Sequence, residues 1–222
     1  LQREGVFRLL KIKSHFEKPS ERKKREKDEN TRRVKKFKKL NQPFEYEVSV
    51  FVNPSKKFQS FIGIGGAITD ASAEVFAKLP AKKQNEILKA YYDPSEGIGY
   101  SLLRTPIHSA DFSSETFTYV SNEDKALNSF SIEHDRLFRI PLIKRALEAA
   151  GGSLLTYASP WSPPAFMKDS KNMLRGGKLL PEYYDTWALF FSKYVDAYKE
   201  EGIDIWGFTV ENEPLGNGNN WE

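Results

Sequence analysis

The chain has 222 residues, of which 39% are hydrophobic and 14% aromatic, enough for one sizeable domain with a real core. The absence of cysteine excludes disulfides, thiolate metal sites and a cysteine nucleophile. No apolar stretch approaches the roughly 20 residues of a membrane-spanning helix. The 3 histidines are scattered, so we expect no metal site, and nothing else in the sequence indicates a cofactor.

The net charge of +4 comes from one short segment. Residues 18–39 contain 12 Lys or Arg and 4 Asp or Glu, a net charge of +8, which leaves −4 for the remainder. Such a segment could bind nucleic acid or anionic lipid. With Phe37 as its single aromatic residue, it is more typical of a solvated helix or linker. We therefore expect residues 1–43 to form a charged, poorly ordered segment, and we expect no nucleic-acid partner.

Residues 44–59 predict a β-strand that ends in a turn. Apolar residues at the even positions from Tyr46 to Val52 alternate with polar ones, the pattern of a strand with one buried face. Asn53-Pro54-Ser55 supplies the turn that follows.

From Phe58 onward, apolar β-type runs alternate with amphipathic helical patterns. The predicted strands are Phe61–Thr69, Gly99–His108, Ser153–Trp161 and Ile205–Val210, and the predicted helices are 71–78, 81–91, Asp135–Ala150 and Pro181–Glu200. This order predicts parallel strands joined by right-handed crossovers. A doubly wound sheet and a (β/α)8 barrel both begin in this way.

The placement of polar residues favours the barrel. Just past the carboxyl ends of the four predicted strands lie Asp70, His108 with Asp111, Trp161, and Asn212 with Glu213. In a barrel these ends meet at one rim, where active sites are built. The run Gly63–Gly66 lacks the third glycine of a dinucleotide-binding turn. We therefore predict an α/β fold in which residues 60–222 form the first half of a (β/α)8 TIM barrel.

Glu213 is the strongest candidate for a catalytic group. It follows a strand and precedes Pro214, which fixes its own φ and biases Glu213 away from helix. Glycoside hydrolysis needs one carboxyl group that is protonated near neutral pH, a state that burial among aromatic side chains favours. Asn212 could hydrogen-bond a sugar hydroxyl beside the reacting carbon.

Five segments strengthen this interpretation by their order and spacing: Phe61–Asp70, Gly97–Pro106, Ser109–Ser113, Ala158–Pro164 and Glu211–Pro214. Together they resemble glycoside hydrolase family 30, especially bacterial members of its glucosylceramidase-like branch. The resemblance runs from about Val48 to the last residue. It implies a (β/α)8 barrel flanked by an accessory β-sandwich, to which residues 44–59 would contribute a strand. It also implies a secreted or periplasmic location, although no signal peptide is visible in this sequence, which begins with Leu1 and not with Met.

The resemblance implies a retaining β-glycosidase that hydrolyses a terminal β-glucosyl bond of a β-glucoside, glycolipid or glycan. Glu213 matches the acid/base of the family, and Asn212 matches the amide that contacts the 2-hydroxyl. Asp111 and Trp161 match residues of the subsite for the non-reducing sugar. The nucleophile of the family is a second Glu after the seventh strand, whereas this chain ends after its predicted fourth. We therefore expect the 222 residues alone to be an inactive fragment.

Three further residues match supporting positions. Arg104 matches a buried arginine that supports the catalytic carboxylates, although it could form an ordinary buried ion pair. Asp70 matches an aspartate with a structural role, or it could cap the helix that follows. His108 could be a substrate ligand or a satisfied histidine at a strand end. The alternatives for the whole protein are a β-1,6-glucanase or β-xylosidase of the same family, or a non-catalytic carbohydrate-binding protein.

Overall fold

A computed structural model describes residues 23–32 and 53–215. Its contacts divide the chain into two units, Leu1–Gln59 and Ser60–Glu222. In the first unit residues 23–32 are helical and mostly exposed, which agrees with the helical alternative for the basic segment. The rest of residues 1–43 and the predicted strand up to residue 52 lie outside the described residues. The accessory β-sandwich therefore stays a prediction.

Four parallel strands form the sheet of the second unit, in the order β1-β2-β3-β4. They are β1 (Gly65–Ala67), β2 (Leu102–Ile107), β3 (Leu155–Pro160) and β4 (Ile205–Phe208). Neighbours along the chain are neighbours in the sheet, as at the start of a barrel and unlike the reversed order of a doubly wound sheet. All four strands are shorter than predicted, and β1 has only 3 residues.

A glycine is required where β1 meets β2. A Cβ atom on Gly65 would overlap the backbone carbonyl of Leu102, to which Gly65 is register-paired. The first strand can therefore approach the second only because this position has no side chain. The preceding residues Phe61, Ile62 and Ile64, predicted as strand, are exposed coil instead.

The helices follow the strands in the predicted order. They are α1 (Asp70–Ala77) and α2 (Ala81–Tyr92) after β1, α3 (Glu133–Leu137) and α4 (Arg139–Ala149) after β2, and α5 (Tyr184–Glu200) after β3. A 3-10 turn, Pro181–Tyr183, occupies the predicted first turn of α5. Among the described residues, no helix is long and apolar enough to cross a membrane.

The single helix predicted over Asp135–Ala150 is wrong, because the helix breaks at Phe138. Pro141 explains the break. A proline inside a continuous helix would lack the N–H for the Leu137 carbonyl, and its ring would clash with that carbonyl. Restarting at Arg139 places Pro141 in the first turn, where no such hydrogen bond is needed. Leu137, the last residue of α3, is exposed.

The core lies between the sheet and the helices α4 and α5. Leu103, Thr105 and Ile107 alternate along β2 and are fully buried on the face toward these helices. The helices contribute Ile140, Ile143, Ala146, Phe190, Tyr194 and Tyr198. On the opposite face of β2, Leu102 and Arg104 are half-buried. The sheet thus presents one closed apolar face and one open face.

Candidate active site

Arg104 joins the ends of three strands on the open face of the sheet. Its Nη2 donates to Oδ1 of Asn212 at 2.7 Å, and its Nε donates to Oγ of Ser159 at 3.1 Å. The guanidinium carbon lies 4.7 Å from the centre of the Trp161 ring, within cation–π range. Within residues 53–215 its partners are thus an amide, a hydroxyl and an aromatic ring. The ordinary ion pair considered as an alternative is not found among these residues, and the support of the catalytic carboxylates by Arg104 stays a prediction.

Glu213 lies at the edge of a small polar cavity beyond β3 and β4. The cavity has a volume of about 240 Å³ and is lined by Trp161, Ser162, Pro163, Lys168, Gly177, Leu179, Glu211, Glu213 and Pro214. We call it the Glu213 cavity. Glu213 itself is exposed, so the burial among aromatic side chains expected from the sequence is absent in the described structure.

The backbone of Glu213 is strained. Its φ is +46°, in the left-handed region that L-residues with a side chain rarely adopt, at a cost of about 1–2 kcal/mol. The neighbouring residue is tied down, since the Asn212 N–H donates to the Pro160 carbonyl at 2.8 Å. Strain of this kind is concentrated at functional sites, where the surrounding structure enforces it.

Two charged residues that line the Glu213 cavity, Lys168 and Glu211, were not singled out from the sequence. Lys168 is buried, and its Nζ donates to Oγ of Ser162 at 2.8 Å and to the Met173 carbonyl at 3.3 Å. Burial lowers the pKa of Lys168, and the negative charges of Glu211 and Asp169 oppose this shift. The local sequence carries no distinctive signal, since Lys168 ends an apolar run and is followed by Asp169, Ser170 and Lys171.

The structure does not bring every predicted site residue together. Trp161 is buried and lines the Glu213 cavity, where Arg104 covers its ring, so it is part of the site and not only of the core. Asp111 is exposed and does not line this cavity. Its role in a sugar subsite stays a prediction.

His108 is a satisfied strand-end histidine and not an accessible ligand. Its Nε2 lies 2.7 Å from the Ser162 carbonyl, and its Nδ1 lies 3.0 Å from Oγ1 of Thr118. A carbonyl only accepts, so Nε2 carries the proton and Nδ1 accepts from the threonine hydroxyl. The imidazole is fully buried, and its backbone has φ +50°. The supporting role predicted for His108 therefore consists of joining the ends of β2 and β3.

A buried ion pair between Arg139 and Asp135 contacts the backbone of His108. Nη2 of Arg139 donates to Oδ1 of Asp135 at 2.6 Å, while Nη1 donates to the carbonyls of Pro106 and His108 at 2.7 and 3.3 Å. The hydroxyls of Tyr119 and Tyr198 donate to Oδ2 of Asp135 at 2.6 and 2.7 Å. Tyr119 also accepts the His108 N–H at 2.8 Å. Burial raises the pKa of Asp135, and Arg139 and the two hydroxyls oppose this shift.

Asp70 does not cap the helix that follows it. The cap is Thr69, whose hydroxyl accepts from the Ser72 N–H at 3.3 Å, while Oγ of Ser72 accepts from the Thr69 N–H at 2.9 Å. Asp70 is the first residue of α1 and is buried, with Oδ2 3.1 Å from Nε2 of His134 and Oδ1 3.8 Å from Nη2 of Arg139. Its contacts support the predicted structural role.

Because His108 is buried and uncharged, we expect the protein to be less stable in mild acid than at neutral pH. Burial lowers the pKa of His108 to about 3, whereas the unfolded residue titrates near pH 6.5. Between these values the unfolded state binds more protons, so the free energy of unfolding falls as the pH falls. From pH 7 to pH 5 the expected loss is about 2 kcal/mol.

Urea denaturation at several pH values would measure this loss, with His108→Gln as the variant that removes the titrating group. The pH slope should flatten in His108→Gln and persist in His134→Gln, which changes a partly exposed histidine. An unchanged slope in His108→Gln would show that another group is responsible.

Among the described residues, no cluster of three or more His, Cys, Asp or Glu could hold a metal ion. The site contains carboxyl groups, an amide, two cations and an indole near the carboxyl ends of parallel strands. Its position agrees with the barrel rim predicted from the sequence.

Comparison with known proteins adds the family. Residues 61–220 match the family model described as the glycosyl hydrolase family 30 TIM-barrel domain, and residues 1–35 match the model described as ribosomal protein S21. The lysosomal acid glucosylceramidase of Mus musculus is 37% identical over 169 residues, 73% of this chain and 33% of that protein. The chain thus spans about a third of the length of this relative.

Two solved structures are similar in fold. SrfJ from Salmonella typhimurium has a TM-score of 0.69 at 36% identity, over 72% of this chain and 36% of that one. The endo-beta1,6-glucanase BT3312 has a TM-score of 0.71 at 28% identity, over 77% of this chain and 38% of that one. With the family model matching most of the residues and a parallel α/β sheet of the expected order, this chain belongs to glycosyl hydrolase family 30.

Proposed function

We propose that this chain supplies the acid/base half of a retaining β-glycosidase that hydrolyses a terminal β-glucosyl bond. The observation that carries the proposal is the strained Glu213 at the end of β4, in one cavity with Trp161 and beside the amide of Asn212 that Arg104 holds. The similarity to a glucosylceramidase supports glucosylceramide or a related β-glucoside as the substrate.

The proposed reaction has two steps. A carboxylate nucleophile attacks the anomeric carbon while the Glu213 carboxyl group protonates the leaving oxygen. Glu213 then takes a proton from water, which attacks the same carbon and releases the sugar with its configuration retained. The nucleophile implied by the resemblance follows the seventh strand, whereas the described residues contain four.

An aryl β-glucoside assay tests the proposal. The 222-residue chain alone is expected to give no turnover. Joined to the part of lysosomal acid glucosylceramidase that follows the matched segment, it should release β-glucose first, as observed by proton NMR. Release of α-glucose would contradict retention. Turnover by the chain alone would mean that another carboxylate serves, and Glu211 in the same cavity would be the first to test.

An endo-β-1,6-glucanase is the second candidate within the family. The similarity to BT3312, with the higher of the two TM-scores, favours it. Assaying the same joined protein on β-1,6-gluco-oligosaccharides, aryl β-glucosides and aryl β-xylosides would rank the three substrate classes. Binding to one of these glycans without hydrolysis would favour the non-catalytic alternative.

We infer separately that the basic N-terminal segment contacts RNA. The sequence alone led us to expect no nucleic-acid partner, but residues 1–35 are similar to a ribosomal protein. The charge of +8 over residues 18–39 supplies the attraction to phosphates. RNA retention on filters should weaken steeply with salt and disappear on deletion of residues 1–43. Equal retention by the shortened chain would contradict the inference.

A further inference from the structure

Lys168 is held in place by a chain of hydrogen bonds that begins in the core. The Ser162 carbonyl accepts from the fixed imidazole of His108, and Oγ of the same serine accepts from Nζ of Lys168 at 2.8 Å. The Met173 carbonyl accepts a second N–H at 3.3 Å. The lysine is only 2% exposed. Its ammonium group is therefore preorganised in a way that a surface lysine is not.

The ammonium group of Lys168 has one more N–H donor than it has acceptors among the described residues. A lysine ammonium carries three N–H groups, and the described residues provide hydrogen-bond acceptors for two of them. Lys168 also lines the Glu213 cavity. A ligand in this cavity would therefore lie beside Lys168 and the proposed acid/base.

We propose that Lys168 contacts the substrate, donating a hydrogen bond to one hydroxyl group of the sugar unit bound beside Glu213. This inference rests on the proposed function and names a specificity-determining residue for it. The hydrogen bonds from His108 to Ser162 and from Lys168 to Ser162 fix the position of the ammonium group before the sugar binds.

The charges of the cavity favour a neutral sugar over an acidic one. The lining contains one cation, Lys168, and two carboxyl groups, those of Glu211 and Glu213. A hydroxyl group can accept from an ammonium and donate to a carboxylate, whereas an anionic substituent can do only the first. The volume of about 240 Å³ is below the size of typical drug-like pockets and suits a single sugar unit or part of one.

Binding of methyl β-D-glucoside to the 222-residue chain, followed by NMR, tests the inference. Lys168→Met should weaken binding by about tenfold to a hundredfold, the effect of losing one hydrogen bond to a charged donor. Lys178→Met, at an exposed lysine of the same loop, is the matched control and should bind unchanged.

A set of monodeoxy methyl β-glucosides distinguishes a direct hydrogen bond between Lys168 and the sugar from an indirect effect of Lys168 on the structure of the cavity. One deoxy sugar should bind the unmodified chain more weakly than the parent sugar does, yet bind Lys168→Met as well as the parent. If Lys168→Met weakens all sugars alike, or none, the inference fails while the proposed function stands. If the unmodified chain binds no β-glucoside, the inference fails, whereas the proposed function is decided by the assay of the joined protein.

Folding of the variant need not limit the test. If Lys168→Met does not fold, the unmodified chain can be used instead, with the NMR resonance of the Lys168 ammonium nitrogen as the readout. This resonance is assigned as the one that disappears in Lys168→Arg. Addition of the parent sugar should shift this resonance and leave that of Lys178 in place. Equal or absent shifts at the two lysines would overturn the inference.

Discussion

Replacing Asp135 by leucine is expected to lower the free energy of unfolding by about 3–5 kcal/mol, because it removes the hydrogen-bonded partner of the buried Arg139 cation and leaves Asp70, 3.8 Å away, as the nearby carboxylate. Both side chains are fully buried, and their ion pair measures 2.6 Å. The change also removes the acceptor of the Tyr119 and Tyr198 hydroxyls. Such a loss is a large fraction of the stability of a typical domain.

A double variant separates the charge effect from the change in packing. Asp135→Leu combined with Arg139→Met removes both charges and is expected to be more stable than Asp135→Leu alone. Lys83→Met is the control, since it breaks an exposed pair with Glu86 and should cost less than about 1 kcal/mol. Urea denaturation measures all three. A double variant less stable than the single one would show that the uncompensated charge is not the main cost.

Replacing Glu213 by glutamine is expected to slow hydrolysis by about 10²–10⁴-fold in the protein form that turns over, because an amide cannot protonate the leaving oxygen. The loss should be larger for methyl β-glucoside than for an aryl β-glucoside, since an aryl leaving group needs less help from an acid. Glu213 is exposed, so the free energy of unfolding should change by no more than about 0.5 kcal/mol.

Steady-state rates on both substrates measure this effect. Glu211→Gln is the matched control, because it changes a carboxylate that lines the same cavity two residues away. Glu211→Gln should not show the dependence on leaving group. Unchanged activity in Glu213→Gln, or the same loss with both substrates, would remove Glu213 from the role of general acid.

The hydrophobic periodicity of the sequence predicted the strands and helices, because this periodicity depends on the local backbone conformation. The alternation of apolar runs and amphipathic helices predicted the order of strands and helices along the chain, and the polar residues at the strand ends favoured the barrel order that the sheet has. The errors were at the ends of the strands and at one break inside a predicted helix. The break at Phe138 could have been anticipated from Pro141, since a proline excludes a continuous helix through that position.

The partners of the site residues could not be predicted in this way. Arg104 donates to Asn212, 108 positions along the chain, and His108 contacts Ser162, 54 positions away. Sequence spacing carries no information about such pairs, because they depend on the register of the sheet and the path of the loops. The same holds for Lys168, which joins the site only because its loop folds back toward the ends of β3 and β4.

The sequence by itself determined the class of fold, the position of Glu213 at a strand end and the resemblance to family 30, because periodicity and motif order are local or linear properties. Only the tertiary structure decided that His108 is a buried tie between strands, that Thr69 and not Asp70 caps α1, and that Lys168 lines the Glu213 cavity. Burial, hydrogen-bond partners and charge environment are set by residues distant in the chain. These properties become defined only when the strands pair and the helices close over one face of the sheet.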